Sequence, residues 1–469
     1  MHRTKALGRW LFSGMVAAGI HSPLPAQTND ELLQAVRRLR AEQGEPGGAV
    51  PDTAGRTTPN PGALGAPTAA EPASAPAAPA PAAAPDAPLP GLRERSVLLG
   101  EDRQGVVVGA IYTGEVVRNL AGGIARKGTY LDNFDLSADL DLEKLLGWQG
   151  TTAFVYALGN NGGDPTAFIG DAQGSSNIET ADTWKLYEAW IEKVWGGGRT
   201  ALRLGLNDLN CEFDVKEYGG LFLNSSHGIG ADFSQSGVNG PSIFPTASLG
   251  ARLRLHLVPT YYLQLVVLDG VPGDPDDPTG THVSLSTTDG ALVALEGGRT
   301  VGGDEQSYGK WGVGMWGYTA AFEAIDEVDA AGNPVKKRGN MGLYAFAESE
   351  LVREQDPDQG LGGYVRIGIA NPRFNQFGLF AGGGLVYSGP FDRAADQVGL
   401  GVALAVNGGD FKDANPGAER AETNIELSYR LQLMPWLAVQ PDLQYILDPG
   451  TDPGCDNAAV FACRFETAF

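Results

Sequence analysis

From about residue 105 to Phe469 the chain alternates polar and apolar residues with a period of two, and this pattern constrains the fold more than any other feature. Residues 133–142 read Asn-Phe-Asp-Leu-Ser-Ala-Asp-Leu-Asp-Leu, and the alternation recurs at 251–257, 364–369, 426–431 and 438–445. A period of two places one set of side chains on each face of a sheet. In a soluble sandwich the apolar set faces a core. In a membrane barrel it faces lipid, and the polar set lines a lumen. The period alone does not choose between them.

Composition and the N-terminus narrow the choice. Glycine is abundant, at 66 of 469 residues, and the 42% hydrophobic content is too low for a bundle of membrane helices. Arg3, Lys5 and Arg9 precede a short apolar stretch from Trp10 to Ile20, and Leu24-Pro25-Ala26 forms a cleavage site before Gln27. This reads as a secretory signal over residues 1–26. No later window reaches the apolar length of a membrane helix, so any span of the exported chain must be β. The net charge of −22 excludes nucleic acid as a partner, because phosphate binding needs a basic surface.

Residues 27–43 predict a short amphipathic helix, capped by Asn29 or Asp30, with Leu32, Leu33, Val36 and Leu39 on one face. Residues 44–92 are rich in Pro and Ala and read as a disordered periplasmic spacer. Residues 93–469 form the folded domain. It holds about sixteen candidate strands of roughly ten residues, the length of a tilted transmembrane strand. Met434-Pro435-Trp436 reads as a short periplasmic turn; residues 160–182, 225–246 and 270–310 read as long external loops. The last strand, 460–469, carries Phe461, Phe465 and the terminal Phe469 on one face. It resembles the C-terminal signature of outer-membrane barrels. The expected fold is all-β: a closed antiparallel transmembrane barrel with an N-terminal periplasmic arm.

Six stretches, in order, resemble the carbohydrate-selective, OprB-like porins. They are the run Leu140-Asp141-Leu142-Glu143-Lys144-Leu145-Leu146-Gly147-Trp148, read as a strand entering a tight turn; Asp208-Leu209-Asn210-Cys211-Glu212-Phe213; residues 233–245, ending Ser242-Ile243-Phe244-Pro245; Leu268-Asp269-Gly270-Val271-Pro272-Gly273-Asp274-Pro275; Gly389-Pro390-Phe391 followed by Asp396; and Gln440-Pro441-Asp442-Leu443-Gln444-Tyr445-Ile446. The resemblance implies a sixteen-stranded outer-membrane barrel that passes glucose and similar sugars by diffusion. It does not extend to residues 28–90.

A sugar pore needs hydrogen-bonding groups for hydroxyls and flat apolar platforms for the ring. Strand parity supplies the lumen candidates. Glu188, Trp190 and Glu192 alternate with Tyr187, Ala189 and Ile191, and the first set is expected to face inward. Arg203, Arg252, Arg254 and His256 lie among leucines, and Arg366, Arg430, Gln440, Asp442 and Gln444 complete the set. Two readings stay open for these residues: a sugar-contacting constriction with Trp190 as a platform, or solvated wall residues cross-linked by salt bridges. A register error of one would move Trp190 to the lipid interface.

No enzyme is expected. HExxH and GxSxG are absent, and the Gly123–Gly128 stretch lacks the P-loop lysine. Beyond the signal the histidines, His227, His256 and His282, are scattered, and no cofactor or metal is implied. The cluster Asp269, Asp274, Asp276 and Asp277 reads as proline-rich turn chemistry ahead of a calcium loop. Cys455 and Cys463 are open to a disulfide or to two free thiols. Small sugars and outer-membrane lipid are the expected partners; homo-oligomerisation and cell-wall contact through the arm stay open. The competing functions are a general non-selective porin with a wall-contacting arm, and a secreted glycan-acting enzyme.

Overall fold

The computed structural model describes residues 104–303, 306–356 and 359–469. The export signal, the 27–43 segment and the 44–92 spacer lie outside the described residues. Sixteen strands close into one antiparallel barrel. They are β1 (Val106–Gly123), β2 (Gly128–Asp141), β3 (Thr151–Gly162), β4 (Thr183–Trp195), β5 (Thr200–Asn207), β6 (Ser248–Val258), β7 (Tyr261–Asp269), β8 (Ala291–Gly303) and β9 (Gln306–Tyr318), which is followed by a separate hairpin, β10 (Phe322–Val328) and β11 (Pro334–Lys337). The barrel resumes with β12 (Met341–Arg353), β13 (Gly360–Ala370), β14 (Phe377–Ser388), β15 (Gln397–Asn407), β16 (Ala421–Met434), β17 (Leu437–Leu447) and β18 (Asp456–Ala468). Each barrel strand pairs with the next, and β18 pairs with β1, setting Glu115 opposite Arg464. Closure leaves no unpaired strand edge, as a membrane requires.

The barrel is inside-out relative to a soluble protein. In β13, Val365, Ile367 and Ile369 face outward and are 63%, 54% and 48% exposed, while Tyr364 and Arg366 face inward and are buried. In β16 and β17 the outward Ile425, Leu427, Leu443 and Tyr445 alternate with inward Glu422, Asn424, Glu426, Ser428, Gln440, Asp442 and Gln444. An apolar exterior around a polar interior is stable only with hydrocarbon outside. Phe461 and Phe465 also point outward, opposite the inward Val460, Ala462 and Arg464. Among the described residues no helix is long and apolar enough to cross a membrane.

Connections at 196–199, 259–260 and 435–436 are short, whereas the opposite end carries long ones such as 163–182, 208–247 and 270–290, which distinguishes the periplasmic from the external side. Met434-Pro435-Trp436 is such a short turn. The run entering residue 142 is not simply a tight turn, because Asp141 caps a helix, α1 (Leu142–Leu146). Asp141 Oδ1 accepts the Glu143 and Lys144 N–H groups at 3.0 and 3.1 Å, and Gly147 ends the helix at φ 74°.

Three expectations need correction. Residues 270–310 are not one loop, for β8 and the start of β9 occupy its second half and only 270–290 connect strands. Residues 160–182 and 225–246 do not project from the barrel: their connections, 163–182 and 208–247, fold back into the lumen, where Phe213, Phe222, Leu223 and Phe233 are buried. Finally, Tyr187 points inward. A bulge opposite Tyr156 and Ala157 places an extra residue in β4, so Tyr187 and Glu188 are both buried.

Candidate functional site in the barrel lumen

The 208–247 loop crosses the lumen and is fastened to wall carboxylates. Glu296 on β8 accepts the Asp214 N–H at 2.8 Å, and Glu348 on β12 accepts the Tyr218 N–H at 3.2 Å. Glu426 on β16 accepts the N–H groups of Leu223 and Asn224. Each carboxyl thereby satisfies loop N–H donors that burial in the lumen would otherwise leave unpaired. The 163–182 loop is held in the same way: Glu422 accepts from Ala172 and Gln173 at 2.7 and 3.0 Å. The two loops also bond each other, Asn177 N–H to Leu223 O and Ser225 N–H to Gly174 O.

The wall is shaped to receive the loop. Phe222, 1% exposed, lies against Gly384, Gly399 and Gly401, where any Cβ would come within about 3.0 Å of its ring. Burying one such ring stabilises the docked loop by roughly 1.5–3 kcal/mol. Phe233, in the short helix α2 (Ala231–Ser234), stacks on Trp316 at 4.7 Å and 3°. Arg366 on β13 donates through Nε to Asp214 at 2.9 Å and through Nη1 to Asp232, joining two points of the loop. Burial pushes the Asp232 carboxyl up even with this guanidinium beside it.

The docked loop narrows the lumen against β4, β5 and β6. Arg203 lies 3.1 Å from both Glu192 and Glu212. Arg252 donates to Glu212 at 2.6 Å and also to Glu192. Two arginines and two glutamates thus form a closed ionic quartet, with Glu212 supplied by the loop. Burial would push the Glu212 carboxyl up, but Arg203, Arg252 and Arg254 outweigh it and hold it at about 2. Trp190 is 5% exposed, donates to Glu188 at 3.2 Å, and carries Arg203 over its ring at 3.7 Å. One face of the indole is therefore covered, and Trp190 is a lumen residue, not an interfacial one.

All eleven candidates project into the barrel, but they separate into groups. Glu188, Trp190, Glu192, Arg203 and Arg252 converge at the throat. Arg254 follows below, over Tyr262 at 5.5 Å. Arg430 stands apart, paired with Glu466 at 3.1 Å. Arg366, Gln440 and Gln444 reach loops: Gln440 donates to Leu221 O at 2.6 Å and Gln444 to Ser175 O at 2.8 Å. Asp442 accepts from Gln444 at 3.0 Å. Sequence reasoning passed over Glu212, Asp214 and Asp232 in the loop, and Glu296, Glu348, Glu422 and Glu426 on the wall. The wall glutamates share the inward parity of the chosen residues and were open to the same reasoning. The loop acids carried no periodic signal.

Asp274 and Asp277 accept N–H groups two residues ahead, at 3.0 and 3.1 Å, which is turn chemistry. Among the described residues no group of three or more His, Cys, Asp or Glu is placed to hold a metal ion. Cys211, Cys455 and Cys463 are free thiols.

Residues 125–469 match the family described as carbohydrate-selective porin, OprB family. Porin B of Pseudomonas aeruginosa is 29% identical over 407 residues, covering 76% of this chain and 86% of that protein. The high-pH structure of Pseudomonas putida OprB superposes with a TM-score of 0.70 at 23% identity, over 78% of this chain and 94% of that one. The low-pH structure gives 0.51 at 20% identity, over 78% and 93%. At these identities the solved structures bear on the fold alone.

Proposed function

This chain belongs to the OprB family of carbohydrate-selective porins and is a β-barrel of the bacterial outer membrane, and from that premise we propose that it passes small neutral sugars by passive diffusion through the Arg203–Glu192–Arg252–Glu212 throat. The observation that carries this reading is the mutual pairing of those four groups. An unpaired ring of one sign would draw in counter-ions and hold them. The quartet itself sums to zero charge and, with Arg254 beyond it, offers a dense set of donors and acceptors, which suits a polyhydroxy solute. Each contact stays weak because the groups already have partners, and weak contacts let the solute leave. Trp190 acts by fixing Arg203 from beneath, so the solute meets the edges of the guanidinium and carboxylate groups.

Liposome swelling with the purified full chain tests this. Glucose and a disaccharide are expected to enter faster than a neutral amino acid of comparable size. Equal entry of all three would reduce the protein to a general porin, and the sugar-contact assignments would fall with it.

A further inference from the structure

A second chamber lies above the throat, at the outer mouth. Its roof is residues 277–282 of the β7–β8 connection, laid over the outer end of β4. Thr281 Oγ1 accepts the Leu186 N–H at 2.7 Å and donates to Leu186 O at 3.0 Å, beside the Tyr187 bulge. Gly280 N–H donates to Thr183 Oγ1 at 2.9 Å, and Lys185 Nζ donates to Pro278 O at 3.1 Å. Together with residues 239–246 this roof bounds a cavity of about 400 Å³ lined by Thr180, Lys185, Asn239, Phe244, Asp277 and His282.

We propose that this chamber is an outer docking site for one mono- or disaccharide, with Phe244 as the ring platform and Lys185, Asn239 and Asp277 as hydroxyl partners. The proposal rests on the sugar-channel reading and adds a site distinct from the ionic throat. Phe244 is only partly buried, and it packs against Tyr187 edge-on at 6.4 Å and 66°. Lys185 has three donors and uses two, on Pro278 O and on Thr246 Oγ1 at 3.2 Å. The Thr180 and Ser234 hydroxyls, also in the lining, make no hydrogen bond among the described residues. An aromatic body among an ammonium, the Asp274 and Asp277 carboxylates, an imidazole, an amide and free hydroxyls matches a ring edged with hydroxyls. The volume falls at the small end of ligand pockets, roughly 300–1,000 Å³, which sets the class at one or two rings. Lys185, Glu188, Trp190 and Glu192 share the inward side of β4, so the strand leads from the chamber to the throat.

The test is saturation-transfer NMR of glucose on the full chain in detergent, combined with the concentration dependence of glucose flux into liposomes. The variants are Phe244→Ala and Asp277→Asn, the second of which keeps the Oδ1 acceptor that holds the Thr279 N–H and hydroxyl. The expected result is transfer to ring protons reduced about fivefold in each variant, with a matching rise in the half-saturating concentration and the same maximal flux. Wild-type transfer and half-saturation in both variants would overturn the docking site. If the wild type passes sugar and neutral amino acid equally while transfer still falls in both variants, the chamber stands and the selectivity reading of the throat fails.

Discussion

Replacing Arg366 with leucine probes how the lumen loop is held. The guanidinium and the two carboxylates it joins, Asp214 and Asp232, have side chains no more than 1% exposed. Removing one partner of a buried ion pair costs about 3–5 kcal/mol, because the remaining charge is left bare. Lys216 still faces Asp214 at 2.8 Å, so Asp232 is the group stranded. We therefore expect the lower end, about 3 kcal/mol, or roughly a 150-fold rise in the open fraction of the loop. Burial already pushes the Asp232 carboxyl up. Without the arginine it can take up a proton and lose its charge, so the loss is smaller at pH 5 than at pH 8. Hydrogen exchange read by mass spectrometry on peptides covering 209–236 measures the opening, and single-channel conductance reports the wider lumen. Adding Asp232→Asn to Arg366→Leu is expected to restore most of the protection, since Asp214 keeps Lys216 as its partner and no bare carboxylate remains. Wild-type protection and conductance in Arg366→Leu would refute the reasoning.

Gly401→Val sets a Cβ 2.8 Å from the His227 ring and 3.0 Å from Phe222, so the loop tip must move at a cost of about 1–3 kcal/mol, whereas Gly409→Ala meets nothing within 4 Å; thermal unfolding is expected to separate the two. Burial, with Glu422 nearby, lifts Asp171 to about 7, and burial, with a hydrogen bond to Asp164, lifts Glu179 to about 8. A carboxyl whose folded value is raised favours the fold while protonated, so the 163–182 loop is expected to lose protection as pH climbs through 7 to 8. Equal or greater protection at pH 9 than at pH 6, after correction for intrinsic exchange, would contradict this. Cys455 lies in the external connection after β17, Cys463 faces outward on β18, and Cys211 is in the lumen loop with burial raising its thiol far up. A membrane-impermeant maleimide applied to whole cells is expected to label Cys455 well before the other two; labelling of Cys455 only after the outer membrane is permeabilised would reverse the assigned orientation.

The barrel was legible because parity is a strong signal wherever one face meets lipid. Val365, Ile367 and Ile369 against Tyr364 and Arg366 fix their strand without any other information. Parity fails at Tyr187, because one inserted residue reverses the faces beyond it and leaves no mark on composition. The lumen loops were harder for a different reason. Irregular backbone shows no period, so residues 225–246 looked like a surface connection. Phe213, Leu221, Phe222, Leu223 and Phe233 in that stretch are too apolar for a solvated loop, and the inward Gly399, Gly401, Ala403 and Ala405 of β15 are too small for a bare pore wall. Read together, those two features describe a plug and its socket. The throat was half visible for the same reason: Arg203 and Arg252 follow from parity, whereas their partner Glu212 depends on the loop turning inward.

The claim of a charge-neutral throat is tested most directly by the flux of three solutes that share one ring and differ in charge. Entry of glucose, glucosamine and glucuronate into liposomes is compared for the wild type and for Glu212→Gln, which leaves Arg203 and Arg252 sharing Glu192 alone. Glucose is expected to enter fastest in the wild type, and the variant is expected to shift preference toward glucuronate. Equal or faster entry of either charged solute in the wild type, or an unchanged order in Glu212→Gln, would contradict it.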